Sequence, residues 1–136
     1  MATASIKKKP FGSRTTADEV LDNVDLAGKN IVVTGANTGI GYEAARALAA
    51  VGARVIFACR SAEKGEQAVS NAKKLHPAAK AEFRQLNLAS FENIRQFCEQ
   101  LDLDKIDVLI CNAGLTQPKY TETDDGLEMT VGVCHF

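Results

Sequence analysis

Three closely spaced glycines, Gly35, Gly39 and Gly41, follow directly on the apolar run Ile31, Val32, Val33 and Thr34, and an alanine-rich stretch comes after them. Glycine lets a backbone turn sharply and approach a ligand closely. The helix that such a turn opens presents free N–H groups and the positive end of its dipole. Together these features hold a phosphate, and a nucleotide is the ligand class they point to. Asn37, Thr38 and Ile40 complete the turn and join the glycines as candidate site residues. A turn without any ligand is the alternative, against which the strand before and the helix after both argue.

The spacing narrows the nucleotide further. The glycines read G-x-x-x-G-x-G, whereas most dehydrogenases carry G-x-G-x-x-G and a P-loop ends in Gly-Lys-Ser/Thr, which this chain lacks. Thr34, Gly35, Gly39, Ile40 and Gly41 resemble the T-G-x-x-x-G-I-G signature of the short-chain dehydrogenase/reductase family. The resemblance implies a nicotinamide dinucleotide cofactor and hydride exchange with an alcohol or carbonyl substrate. A carboxylate about twenty residues past the glycines would suit the free ribose 2′-OH of NAD, and a cation the 2′-phosphate of NADP. Here the second apolar run ends in Cys59 and Arg60, so NADP(H) is favoured over NAD. The alternative for Arg60 is a solvated residue at a strand end.

By the same resemblance Asn87 and Leu88 stand where the family contacts the adenine, with Asn87 replacing the usual Asp. Cys111, Asn112, Ala113 and Gly114 resemble the family's N-N-A-G segment, with Cys in place of the first Asn. Small Ala113 and Gly114 would lie against the cofactor's ribose, and Asn112 would pin the strand end. Ala58, Cys59 and Arg60 followed by Lys64, Gly65 and Glu66, with Asp124, Asp125, Gly126, Leu127 and Glu128 later, are similar to the retinol dehydrogenase and WW-domain-containing oxidoreductase branch. That kinship covers about residues 25–133 and implies an apolar substrate.

The family's proton chemistry uses Y-x-x-x-K with an upstream Ser, and none of this is found here. Tyr42 is followed four residues later by Arg46, Tyr120 by Asp124, and His76 and His135 offer no substitute. No catalytic residue and no metal ligand set is therefore assigned. Residues 131–136 resemble the start of a G-V-N-H-L segment, with Cys134 replacing an Asn. The expectation is an amino-terminal half of a dehydrogenase, truncated before the later strands. A second function class stays open beside it: a non-catalytic NADP-binding or interaction module.

The elements that must position these residues follow from apolar patterning. Strands are predicted over residues 30–34, 54–59, 81–88 and 106–111; the second and fourth are apolar runs, and 81–88 suits a third strand between them. Helices are predicted over about 15–22 with Thr16 as cap, over 40–51 ending at Gly52, from Ser61 to His76 before Pro77, and after Ser90 with Ile94, Phe97, Cys98 and Leu101 on one face. Alternating strands and helices make an α/β, Rossmann-type parallel sheet with helices on both faces and strand order 3-2-1-4. Residues 1–24 read as a tail with a short helix, and 25–136 as a partial dinucleotide-binding domain.

With 136 residues, 46% apolar and 24% charged, the composition is that of an ordinary globular domain. A net charge of -1 gives no electrostatic case for nucleic acid, and Lys7, Lys8 and Lys9 read as a solvated tail. No stretch is long and apolar enough to span a bilayer and no secretory signal is present, so a cytoplasmic location is expected. Cys59, Cys98, Cys111 and Cys134 lack metal-ligand spacing and are expected to be small buried hydrophobes. The fourth strand is apolar on both faces, so an exposed edge there predicts marginal stability and self-association.

Overall fold

In the computed structural model, which describes residues 11–136, four parallel strands form one sheet: β1 (Asn30–Thr34), β2 (Arg54–Cys59), β3 (Lys80–Gln85) and β4 (Val108–Ile110). Most of the tail expected over residues 1–12, including Lys7 to Lys9, lies outside the described residues. The strand order is β3-β2-β1-β4, as the pattern of the sequence implies. Val33 pairs with Phe57 on one side and Ile110 on the other. The neighbours of β1 thus reach the sheet from opposite directions, which opens a crevice at the carboxyl ends of the strands.

Among the described residues five helices accompany the sheet: α1 (Ala17–Val20), α2 (Gly39–Ala50), α3 (Ala62–Leu75), α4 (Phe91–Glu99) and α5 (Met129–Cys134). On one face Ile31, Val33, Val55 and Phe57 pack under Ala45 and Ala49 of α2 and Ala68 and Ala72 of α3. The alanines recur at i, i+4, so each helix lays a smooth stripe close to the strands. On the other face Val32, Ile56 and Ala58 meet Phe97 of α4. Every side chain of β2 from Val55 to Cys59 is buried, and each large one contributes on the order of 1.5–3 kcal/mol by leaving water.

Local chemistry sets the helix ends. Thr16 and Glu19 form a reciprocal capping box on α1, while Ser61 and Ser90 cap α3 and α4. Gly52, at φ +98°, turns the chain after α2 into β2. Arg46 of α2 is buried, and its guanidinium donates to Asp18 of α1 at 2.8 Å and Glu43 at 2.9 Å and lies 3.2 Å from His76 Nε2. This one side chain ties the first helix and the end of α3 to α2.

The structure departs from the sequence expectations at several boundaries. β3 ends at Gln85, three residues before the predicted Leu88. The Asn87 N–H donates to Asn93 Oδ1 at 2.6 Å and Asn87 Oδ1 accepts from Ala89 N–H, which turns the chain toward α4. β4 is shorter than the predicted 106–111: at its start the Asp107 carboxylate accepts the Asn30 N–H, and past its end the Asn112 N–H donates to Thr34 Oγ1 rather than to a ladder carbonyl. Cys98 lies on the exposed side of α4, and only Cys59 of the four cysteines is buried, so the expectation for the other three is corrected. α5, capped by the Glu128 carboxylate, is an element that apolar periodicity did not signal.

Candidate functional site

The glycine turn is built against the segment that follows β4. Thr34 Oγ1 accepts the N–H groups of Asn112 and Ala113, each at 3.0 Å, and Asn112 Nδ2 donates to the Thr34 carbonyl oxygen at 3.0 Å. The glycines divide their work. A Cβ on Gly35, which has φ +66°, would lie 2.9 Å from Ala113 Cα, and one on Gly41 would strike the Asn112 amide and lie 2.5 Å from the Gly35 oxygen. Gly39, at φ +59°, faces open space within 4 Å, so the room there is left for something else.

Gly39 also begins α2, and that helix is left open. Thr38 stands at the N-cap without a side-chain cap bond, and no acidic residue occupies the first turn. Among the described residues each of the other helices has its first N–H groups satisfied by a side chain, from Thr16, Ser61, Ser90 or Glu128. Gly39, Ile40, Gly41 and Asn112 line a cleft of about 480 Å³ at this end of α2. Free N–H groups and the dipole together attract an anion there.

A second cleft, of about 230 Å³, carries the groove across the ends of β1, β2 and β3, with Arg60, Asn87 and Leu88 in its wall. The two clefts share Gly35, Asn37, Ala113 and Gly114, so they are parts of one groove. Each of the twelve residues singled out in the sequence lines it, and among the described residues no carboxylate does. Arg60 is exposed, and its guanidinium has no hydrogen-bond or ion-pair partner among the described residues. Asn87 Oδ1 is taken by the Ala89 N–H at 3.1 Å, which leaves the side-chain NH₂ as the donor available to a ligand.

Sequence reasoning missed other lining residues. Cys59, Leu86, Leu115 and Val133 belong to the wall. Burial pushes the Cys59 thiol up in pKa, and its Sγ donates to the Ser61 oxygen at 3.3 Å, so it is an apolar wall rather than a nucleophile. Val133 arrives on α5, whose placement rests on the D-D-G-L-E stretch. Asp125 accepts the Phe91 N–H at 2.7 Å, Gly126 turns at φ +77°, and Glu128 accepts from Thr130 and Val131, which lowers its pKa. That motif is therefore scaffolding that holds α5 against the groove.

Among the described residues no Tyr, His, Asp or Glu lines the groove. The Tyr42 ring packs edge-on against Phe57, with centroids 6.4 Å apart. The Tyr120 hydroxyl donates to Glu122 Oε1 at 2.7 Å, a bond that raises its pKa and so opposes the ionisation a proton relay needs. Among the described residues no group of His, Cys, Asp and Glu could hold a metal ion, and no helix is long and apolar enough to cross a membrane.

Comparison with known proteins agrees with this geometry. The short chain dehydrogenase family model matches residues 29–131. The WW domain-containing oxidoreductase of Drosophila melanogaster is 42% identical over 133 residues, 95% of this chain and 32% of that protein. Retinol dehydrogenase 12 of Mus musculus is 44% identical over 116 residues, 84% of this chain and 37% of its own length. The chain thus spans about a third of the curated relatives it matches. A Mycobacterium paratuberculosis crystal structure superposes with a TM-score of 0.75 at 38% identity, covering 89% of this chain and 41% of the other. The NADP active-site complex of Pseudomonas aeruginosa RhlG superposes with a TM-score of 0.62 at 29% identity, covering 68% and 37%.

Proposed function

The chain belongs to the short-chain dehydrogenase family, and from that premise we propose that its groove is the NADP(H)-binding part of an oxidoreductase that converts an apolar alcohol and its carbonyl. The family binds a nicotinamide dinucleotide; the preference for the phosphorylated form is our reading of the residues. The observation that carries it is Arg60, which among the described residues has no side-chain partner and stands in the wall of a groove lined by no carboxylate. A planar guanidinium grips a phosphate through paired donors, and an Asp or Glu in its place would repel one. RhlG, related in fold and 29% identical, is described with NADP, which supports the same choice.

The residues fit such a cofactor along its length. The uncapped start of α2 would receive the pyrophosphate, Gly39 leaves room there, and Arg60 would hold the ribose 2′-phosphate. Asn87 and Leu88 border the adenine, while Ala113 and Gly114 let the backbone lie against the nicotinamide ribose. When bound, the nicotinamide supplies or accepts the hydride. What these residues would do is position the dinucleotide along the groove.

Proton transfer to the substrate oxygen needs a Tyr whose pKa a Lys lowers, and the 136 residues hold no Y-x-x-x-K. This favours a second reading for the polypeptide as given, namely a nucleotide-binding module without turnover. Titration with NADPH and NADH by fluorescence or calorimetry tests the first reading: tighter binding of NADPH is expected, reduced about tenfold by Arg60→Ala. Equal NADPH affinity in Arg60→Ala and wild type would overturn it. Sustained oxidation of NADPH by these residues with any of a panel of carbonyls would overturn the second reading.

A further inference from the structure

The cleft of about 230 Å³ across the strand ends is walled on one side by the segment from Leu86 to Ala89, which leads into α4, and on another by Leu115 and by Val133 of α5. The D-D-G-L-E stretch bonds to both sides. Past Leu86, whose N–H donates to the Cys59 oxygen at 3.0 Å, the first wall is held by the Asn87 bonds already described and by its Ala89 oxygen, which accepts the Asp124 N–H at 2.9 Å. The Asp125 carboxylate then accepts the Phe91 N–H at 2.7 Å, at the start of α4, where the helix dipole favours an anion. We infer that Asp125 is a positioning residue for the dinucleotide: it sets the spacing between the two walls, so that filling the adenine end of the groove and docking α5 are coupled. The inference rests on the dinucleotide reading above and adds to it a residue that does not line the groove.

The far side of the turn explains how the link reaches α5. Thr123 is buried, its Oγ1 accepts the Leu127 N–H at 3.2 Å, and a Cβ on Gly132 of α5 would lie 2.6 Å from its methyl carbon. Glu128 takes the N–H groups of Thr130 and Val131, and its backbone oxygen takes that of Gly132 at 2.7 Å. The turn and the first turn of α5 are thus one bonded unit, and Val133 travels with it. Of the two links from this unit to the α4 side, Asp124 uses its backbone and Asp125 its side chain, so the second can be removed by substitution. Coupling of this kind is reciprocal: what the ligand gains from a docked α5, α5 gains from the ligand.

The test is equilibrium binding of NADPH and NADH, with amide hydrogen exchange, on wild type, Asp125→Ala, Asp125→Asn, Phe91→Pro and Arg60→Ala. Phe91 is the first residue of α4, where proline keeps the helical φ and deletes the N–H, so Phe91→Pro removes the same bond from the donor side. Asp125→Ala and Phe91→Pro are each expected to weaken both dinucleotides about three- to fivefold, which leaves their ratio unchanged, whereas Arg60→Ala acts on NADPH alone. The double variant should bind no more weakly than either single one, and Asp125→Asn, which keeps an acceptor oxygen, should regain most of the loss. Saturating NADPH is expected to slow exchange at Thr130, Val131 and Gly132 in wild type and Arg60→Ala but not in Asp125→Ala or Phe91→Pro, while Val55 to Phe57 stay protected in all. Wild-type affinity in both of those variants, or α5 slowed by NADPH in them as in wild type, would overturn the inference and leave the dinucleotide reading standing. A wild type that binds neither dinucleotide would overturn that reading, and this inference with it.

Discussion

At the scale of single residues, the glycine turn shows how like residues can carry unlike duties. In sequence the three glycines form one signature, because spacing alone says that the backbone must turn. The structure separates them: Gly41 gives way to Asn112 and Gly35, whereas Gly39 gives way to nothing in the protein. Gly41→Ala is therefore expected to destabilise the fold by about 1–3 kcal/mol through overpacking. Gly39→Ala should keep most of its stability, at a cost of about 1–2 kcal/mol for a left-handed alanine, and lose NADPH affinity because its methyl enters the groove. Thermal unfolding and NADPH titration on both variants check this contrast, and wild-type affinity in Gly39→Ala would refute it. That these residues gather along one groove was legible because glycine, asparagine and arginine at these spacings have few other uses. Their division of labour was not, since Asn112 and the two closely packed glycines meet only in three dimensions.

At the scale of elements, the cores of the strands and helices could be read from apolar periodicity, and their ends could not. Leu86, Asn87 and Leu88 continue an apolar pattern, yet the side chains of Asn87 and Asn93 turn the backbone away from the sheet. α5 is too short for a helical period to register, and its start is set by the Glu128 carboxylate. β4 is likewise fixed from outside its apolar run, by Asp107. Its carboxylate accepts the Asn30 N–H at 2.9 Å and pairs with Lys105 at 2.9 Å, which pulls its pKa down to about 2. An unfolded Asp titrates near 3.9, so this carboxylate adds stability that is full above about pH 4 and is lost as the pH falls through about 2. Asp18, Glu82 and Glu128 have pKa values moved in the same direction and steepen the same acid limb. Asp107→Asn is expected to lower the denaturant midpoint at pH 7 and to flatten its decline between neutral and acid pH. Parallel pH profiles for variant and wild type would show that the Asp107 bonds do not hold the start of β4.

At the scale of the whole molecule, strand order decides where the groove lies and where the surface is least protected. The order 3-2-1-4 was legible because parallel strands joined by right-handed crossovers leave few arrangements, and it sets the crevice beside β1. The same order puts β4 at an edge in the described residues, with Ile110 packed against the α2 face while Val108 and Leu109 are 44% and 56% exposed. Leu109 pairs with the buried Val32, yet α4 reaches Val32 and Ile56 without covering it. An edge strand with unpaired backbone groups and bare apolar side chains is a template for another strand. Chains of this polypeptide are accordingly expected to associate through β4, with the extent rising over the micromolar range in sedimentation velocity. Leu109→Lys places a charge on that edge without entering the core, so it should shift the population to monomer and leave NADPH binding intact. A wild type that sediments as a monomer at every concentration would rule the edge out as an interface. Association that survives Leu109→Lys would move the contact elsewhere, away from the strand that closes the groove.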